Sequence, residues 1–277
     1  MENLINDKKY EKEIRQIQRI ESILVNVTRV LTIAILVMMF PLHITLPTGK
    51  VLLDHDGLSF FIAFPLIVLC YVSEIIIYSK LITPKLFDPL VIECDPEKYL
   101  AINMAAARPR IFRLVCATSY VYLGNYSEAV RCANDAAADK NVSYSLNALY
   151  HRAYAEFLQG DYAALRMTKE EFSKKLVSAV KMKDAARKTF LTIEHMLSLL
   201  IAIGDGDPET INDLKSKITP NDRSKASMVS TKYFLGLAAL TVGDLDGAKA
   251  EFEWIKENDD KTVFSSLAKE KLENLIS

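Results

Sequence analysis

Apolar residues run almost unbroken from Ile23 to Leu42 and again from Leu58 to Ser79, and no stretch of that length recurs after Leu81. About 20 mostly apolar residues are enough for a helix to cross a bilayer, and in lipid a lone segment satisfies its backbone only as a helix. The pattern therefore predicts a transmembrane hairpin over 23–81, with spans at about 23–42 and 58–79. Upstream, Tyr10, Ile14, Ile17 and Leu24 recur at helical spacing, with Ile20 extending the stripe. This predicts an amphipathic helix over 1–22 that runs into the first span. Pro84 and Pro89 interrupt helical order in 82–94, which reads as a linker. Asp95-Pro96-Glu97 and Asp207-Pro208-Glu209 each have the form of a helix start, an N-capping acid followed by proline and a second acid.

Charge flanking the spans predicts their orientation. Lys8, Lys9, Lys12, Arg15 and Arg19 precede the first span, Lys80 and Lys85 follow the second, and the loop between them, His43 to Gly57, holds only Lys50. Basic flanks stay on the cytoplasmic side, so both termini are expected in the cytoplasm. The first span is too long for the apolar core of a signal peptide and lacks a small-residue cleavage site, and it is expected to stay as an anchor. Each span carries one ionisable residue, Arg29 and Glu74. At 1.5 Å of rise per residue both sit roughly 6–9 Å from the cytoplasmic edge, so an intramembrane ion pair between them is one expectation. Snorkelling of Arg29 to the headgroups is the other. In the outer loop His43, Asp54, His55 and Asp56 are metal-ligand types, but a short solvated turn accounts for them, with Asp56-Gly57 as its turn signal, and no metal is assigned.

Residues 95–277 contain a repeat. Gly124, Gly160 and Gly243 are each preceded seven positions earlier by a small residue (Ala117, Ala153, Gly236) and followed two positions later by Tyr126, Tyr162 or Leu245; Ala129, Leu165 and Ala248 stand five positions after. A small residue lets one helix approach its partner, the glycine turns the chain, and a second small residue lets the returning helix close. Such a hairpin cannot bury its own faces and must stack on neighbours. This pattern resembles the tetratricopeptide repeat. Leu165 departs from it, as do Ala133 and Lys169 where a large residue closes the second helix, a place that Phe252 fills in the last unit. A fourth hairpin is expected near 188–218, although its turn, IGDGDPET, does not align. The segment from Thr262 to Ile276 reads as a capping helix. The expected fold is thus all-α, a two-helix membrane hairpin followed by an α-solenoid of stacked helical hairpins.

Composition narrows the function. Residues 82–277 carry 26 Lys and Arg against 27 Asp and Glu, without the basic excess of a nucleic-acid surface. Cys70, Cys94, Cys116 and Cys132 form no C-x-x-C pair and read as small buried hydrophobes. No phosphate-binding loop, dinucleotide fingerprint, H-E-x-x-H or G-x-S-x-G occurs, so neither catalytic residues nor a cofactor are assigned. His151 and His195 sit in helical patterns as packing or surface residues. Residues 166–188 carry eight basic side chains against three acids, which makes contact with anionic lipid of the inner leaflet possible.

The resemblance implies a concave groove, lined by the first helix of each pair, that takes a segment of another protein. Its positions map to Tyr122, Asn147, Tyr150, Tyr154 and Tyr233, with packing between repeats as the alternative role for each. The expected function is a membrane-anchored protein-interaction module, a scaffold or assembly factor, facing the cytoplasm of a bacterial plasma membrane. The alternatives are a membrane enzyme with an unrecognised site in the helical domain and a hairpin subunit of a larger membrane complex.

Overall fold

The structure, a computed structural model, describes residues 7–40, 42–45, 51–55, 60–106, 109–218 and 221–276. It divides into two compact units, one within residues 6–87 and one within 88–277.

The first unit holds α1 (Asp7–Met38), β1 (Leu42–Thr45), β2 (Val51–His55), α2 (Phe60–Ile77) and a π-helical turn, Tyr78–Ile82, that leads into α3 (Thr83–Val91). The amphipathic segment and the first span form one continuous helix. On one side of it Tyr10, Ile17, Leu24 and Thr28 are buried. α1 packs on α2 and on the π turn, where the Tyr78 hydroxyl donates to Glu21 Oε1 at 3.1 Å. Two helices, Lys9–Met38 and Phe61–Val91, are long and apolar enough to cross a membrane, and only 11% and 6% of their apolar windows is buried. A core helix of a water-soluble domain hides its apolar surface; these two present it.

Two expectations for this region need correction. The connection between the helices contains an antiparallel pair of strands, β1 and β2, in the register Leu42 to His55, His43 to Asp54, Ile44 to Leu53 and Thr45 to Val51, with an irregularity after Ile44. The β-branched residues Ile44, Thr45 and Val51 favour that pairing. The side chains of His43, Asp54 and His55, and Asp56 itself, lie outside the described residues. The second difference concerns 82–94. Helix continues through Pro84 and Pro89 to Val91. A proline within a helix collides with the carbonyl four residues back. The π turn widens the backbone just ahead of Pro84, and the Thr83 N–H reaches back five residues to the carbonyl of Tyr78. The chain leaves α3 through Cys94, which adopts a left-handed φ of 53°, while the Asp95 N–H donates to the Pro89 carbonyl at 2.7 Å.

The second unit is helical throughout its described residues: α4 (Pro96–Ala105), α5 (Pro109–Tyr122), α6 (Tyr126–Ala137), α7 (Val142–Leu158), α8 (Tyr162–Ser178), α9 (Asp184–Asp205), α10 (Pro208–Lys215), α11 (Lys225–Thr241), α12 (Leu245–Asn258) and α13 (Val263–Ile276). Four hairpins, α5–α6, α7–α8, α9–α10 and α11–α12, turn on the same device. A glycine at positive φ (Gly124 78°, Gly160 77°, Gly206 65°, Gly243 79°) ends the first helix. The next residue, Asn125, Asp161, Asp207 or Asp244, caps the second helix by accepting a backbone N–H three positions on. Only glycine enters the left-handed region without cost, and Asn and Asp are among the best N-caps. The Gly-Asx step therefore fixes where each hairpin reverses.

Small side chains set how closely the helices meet. Ala117, Ala153, Ala129 and Ala248 have no exposed surface. A Cβ at Gly236 would stand 2.6 Å from the Phe252 ring, and one at Gly204 would stand 2.6 Å from the Tyr162 ring. In the α9–α10 hairpin the equivalent places are filled by Leu199 and Ile211, both fully buried. Successive helices pack on each other, and every second helix also meets the next of its kind: α5 on α7, α7 on α9, α9 on α11 and α11 on α13. Tyr122, at the end of α5, adds contacts across the unit. Its hydroxyl donates to the Ala226 carbonyl of α11 at 3.1 Å, and its ring lies 5.4 Å from that of Phe264 on α13. Aromatic rings of α5, α7, α11 and α13 thus meet in one core.

Candidate functional site

The core takes most of the tyrosines expected to line a groove. Tyr122, Tyr154 and Tyr233 are buried, at 3%, 0% and 3% exposure. Phe234 of α11 packs against Tyr154 of α7 with ring centroids 4.6 Å apart, and Tyr233 lies 5.4 Å from Phe264. These three tyrosines are interior residues. The face they were expected to open to a partner is covered by α11 and α13 of the same chain. Asn147 is half-buried and spends its side-chain amide on the Ser143 carbonyl at 2.8 Å, one turn back on α7. The Arg29–Glu74 ion pair is absent among the described residues; Arg29 is exposed on α1 and Glu74 half-buried on α2.

Two of the five, half-buried Tyr150 and fully buried Tyr154 beneath it, line a cleft of about 540 Å³ bounded by α7, α9, the connection after α10 and α11. The Tyr150 hydroxyl donates to that of Tyr154 at 2.7 Å. The Tyr122 hydroxyl and Ser230 Oγ lie 3.1 Å apart deeper in the core. Buried hydroxyls are kept paired in this way because an unpaired one costs roughly 1–3 kcal/mol. Met196 and Ile193 give the cleft an apolar wall, and Thr192, Thr231, Asn221 and Arg223 give it polar ones. The Arg223 side chain forms no ion pair with any described residue and supplies the cleft's positive charge. That mixture, with a volume inside the usual range for ligand sites, suits a segment that carries both an apolar side chain and an acceptor such as a carboxylate or backbone carbonyl.

Sequence reasoning missed Thr192, Asn221 and Arg223. Thr192 stands on a helix whose hairpin did not align. Asn221 and Arg223 belong to a polar connection that looks like any other loop, so no residue-level signal marks them.

Burial shifts the ionisable groups around this site. It pushes the Tyr150 hydroxyl up to about 12 and holds that of Tyr154 well above its ordinary value. His151, next on α7, has its Nδ1 sealed from solvent without a partner, and burial pushes the imidazole down to about 3. Its folded-state value lies below the unfolded value of about 6.5, so the neutral form is the folded form. The contribution is complete above pH 6.5 and is lost as pH falls toward 3. The slope is at most about 1.4 kcal/mol per pH unit. Thermal unfolding at pH 7.5 and 5.5 should therefore show a larger acid loss for the wild type than for His151→Gln. Equal losses would mean that the ring takes up its proton inside the fold.

Among the described residues no group of three His, Cys, Asp or Glu could hold a metal ion. Burial raises the Cys94 thiol to about 12. Cys116 on α5 and Cys132 on α6 share a hydrogen bond that raises the first thiol and lowers the second.

No protein-family model, curated protein or solved structure matches this chain.

Proposed function

We propose that the chain is a membrane-anchored protein-interaction module. In this reading α1 and the helix formed by α2 and α3 anchor it, with both termini cytoplasmic by their basic flanks. The second unit is then a tetratricopeptide-like α-solenoid that has closed on itself, with α11 and α13 occupying the groove that an open array offers to a partner. What remains for recognition is the cleft beside Tyr150.

The observation that carries this reading is the combination of one Gly-Asx turn used in four hairpins with first helices that meet one another in series, α5, α7, α9, α11 and α13. Stacked hairpins of that kind work through the surface of their first helices, and here the cleft is the open part of that surface. Membrane attachment confines a partner to the same surface, so modest contacts gain from a high local concentration.

A photoreactive amino acid at Thr192, in the full chain in native membranes, tests the reading. A discrete protein adduct is expected at Thr192, absent from the same label at Lys249 on α12 and lost when Arg223→Glu is added. Identical adducts from both positions would overturn it.

A further inference from the structure

We infer that the turn between α8 and α9 is a second membrane contact, one that inserts Val177 and Val180 into the interface of an anionic bilayer. The inference rests on the membrane reading above and adds a lipid-binding surface to the helical unit.

Val180 is 81% exposed and Val177 73%, the two most exposed large hydrophobic side chains among the described residues of that unit. Their position is fixed by the turn's own hydrogen bonds. The Ala179 N–H donates to the Leu176 carbonyl at 3.3 Å, that of Val180 to Ser178 at 2.9 Å and that of Met182 to Ala179 at 3.1 Å. The valines are therefore held outward by a formed turn. Beside them lies an open cleft of about 670 Å³ that runs to Val142 at the start of α7 and carries Lys181 and Lys183 on its rim. Val142 is itself 38% exposed, so the apolar surface continues across two neighbouring turns.

The charge around this surface identifies its occupant. Between positions 172 and 193 there are six basic residues and one acid, Asp184. The wider run of bases in 166–188 does not act as a block. Arg166 pairs with Asp205, and Lys174 with Glu170. Lys175 donates to the Ala137 carbonyl at 2.8 Å and to Ser145 Oγ at 2.7 Å. Lys181, Lys183, Arg187 and Lys188 form no ion pair with any described residue; the first two line the cleft beside Val180 and the other two follow at the start of α9. An apolar tip beside unpaired bases matches a layer with apolar depth beneath negative headgroups. Each such base near an anionic surface is worth about fivefold in surface partition.

The test uses the full chain in vesicles and a single tryptophan. Trp254 is the chain's only tryptophan, so Trp254→Phe gives a silent background. In that background Val180→Trp reports on the turn and Leu69→Trp, 58% exposed on α2, reports on the anchor. In vesicles with phosphatidylglycerol and brominated lipid, V180W should emit at shorter wavelength and be quenched. Reversing Lys181, Lys183, Arg187 and Lys188 to glutamate, or adding salt, should remove most of that quenching. An unquenched V180W overturns the inference, and a blue shift without quenching does so too, because protein then covers the turn. Equal quenching in purely zwitterionic vesicles overturns the anionic part. Unquenched L69W instead overturns the anchor itself, so the two failures are distinguishable.

Discussion

Phe234→Ala should be the most damaging truncation in the helical unit. The ring has no exposed surface and joins α11 to both α7 and α13. Its centroid lies 4.6 Å from Tyr154 and 5.5 Å from Phe157 on α7, 5.6 Å from its neighbour Tyr233, and 5.9 Å from Phe264 on α13. Removing a buried phenylalanine costs about 3–5 kcal/mol, more when the walls cannot collapse into the space. Here the walls are rings braced by other rings, so the upper part of that range is expected. In a unit of this size that corresponds to a fall in Tm of roughly 6–20 °C, followed through the helical signal of the full chain in detergent. Met167→Ala, at a residue 69% exposed on α8, serves as the comparison and should leave Tm within experimental error. If Phe234→Ala shifted Tm no more than Met167→Ala, the shared aromatic core would not be what holds α7, α11 and α13 together.

The same cluster marks the limit of what the sequence could say. The turns were legible because Gly124-Asn125, Gly160-Asp161 and Gly243-Asp244 each join a residue that tolerates positive φ to one that caps a helix. Gly206-Asp207 is the same step. It was obscured by Gly204 and Asp205 just before it, by the 22 residues of α9 that stretch the spacing, and by Leu199 and Ile211 where the other hairpins mostly carry small residues. The two apolar helices were legible because length and composition alone define them. The groove was not. Helical periodicity reports that Tyr122, Tyr154 and Tyr233 face something apolar, but it is silent on whether that surface belongs to a partner or to α11 and α13 of the same chain. Pro84 and Pro89 misled for a related reason. Proline breaks a regular α-helix, yet a π turn lies directly ahead of Pro84 and α3 runs on through Pro89 to Val91. The cleft residues Asn221 and Arg223 are set by tertiary placement, which no local pattern encodes.

Arg152→Met should destabilise the unit nearly as much, and for an electrostatic reason. Glu156 is 3% exposed. One carboxylate oxygen accepts from Arg152 Nε at 2.7 Å, and the other, Oε2, has no hydrogen-bond partner. Arg152 also approaches Glu171 of α8 at 3.6 Å, so among the described residues it is the base that pairs with the buried acid, and it links α7 to α8. Taking it away strands a carboxylate in the interior, which costs about 3–5 kcal/mol. Glu156→Leu is a different loss. The arginine side chain keeps 22% of its surface exposed and retains Glu171, so about 1–2 kcal/mol is expected for the broken charged hydrogen bond. The double variant, Arg152→Met with Glu156→Leu, removes both charges and fills their volume with apolar atoms, and buried pairs exchanged in this way are often neutral or stabilising. The three thermal unfolding curves should therefore be strongly non-additive, with the double variant above Arg152→Met. Additive losses would mean that Glu156 is hydrated in solution and that the α7–α8 hairpin stands on its apolar contacts alone.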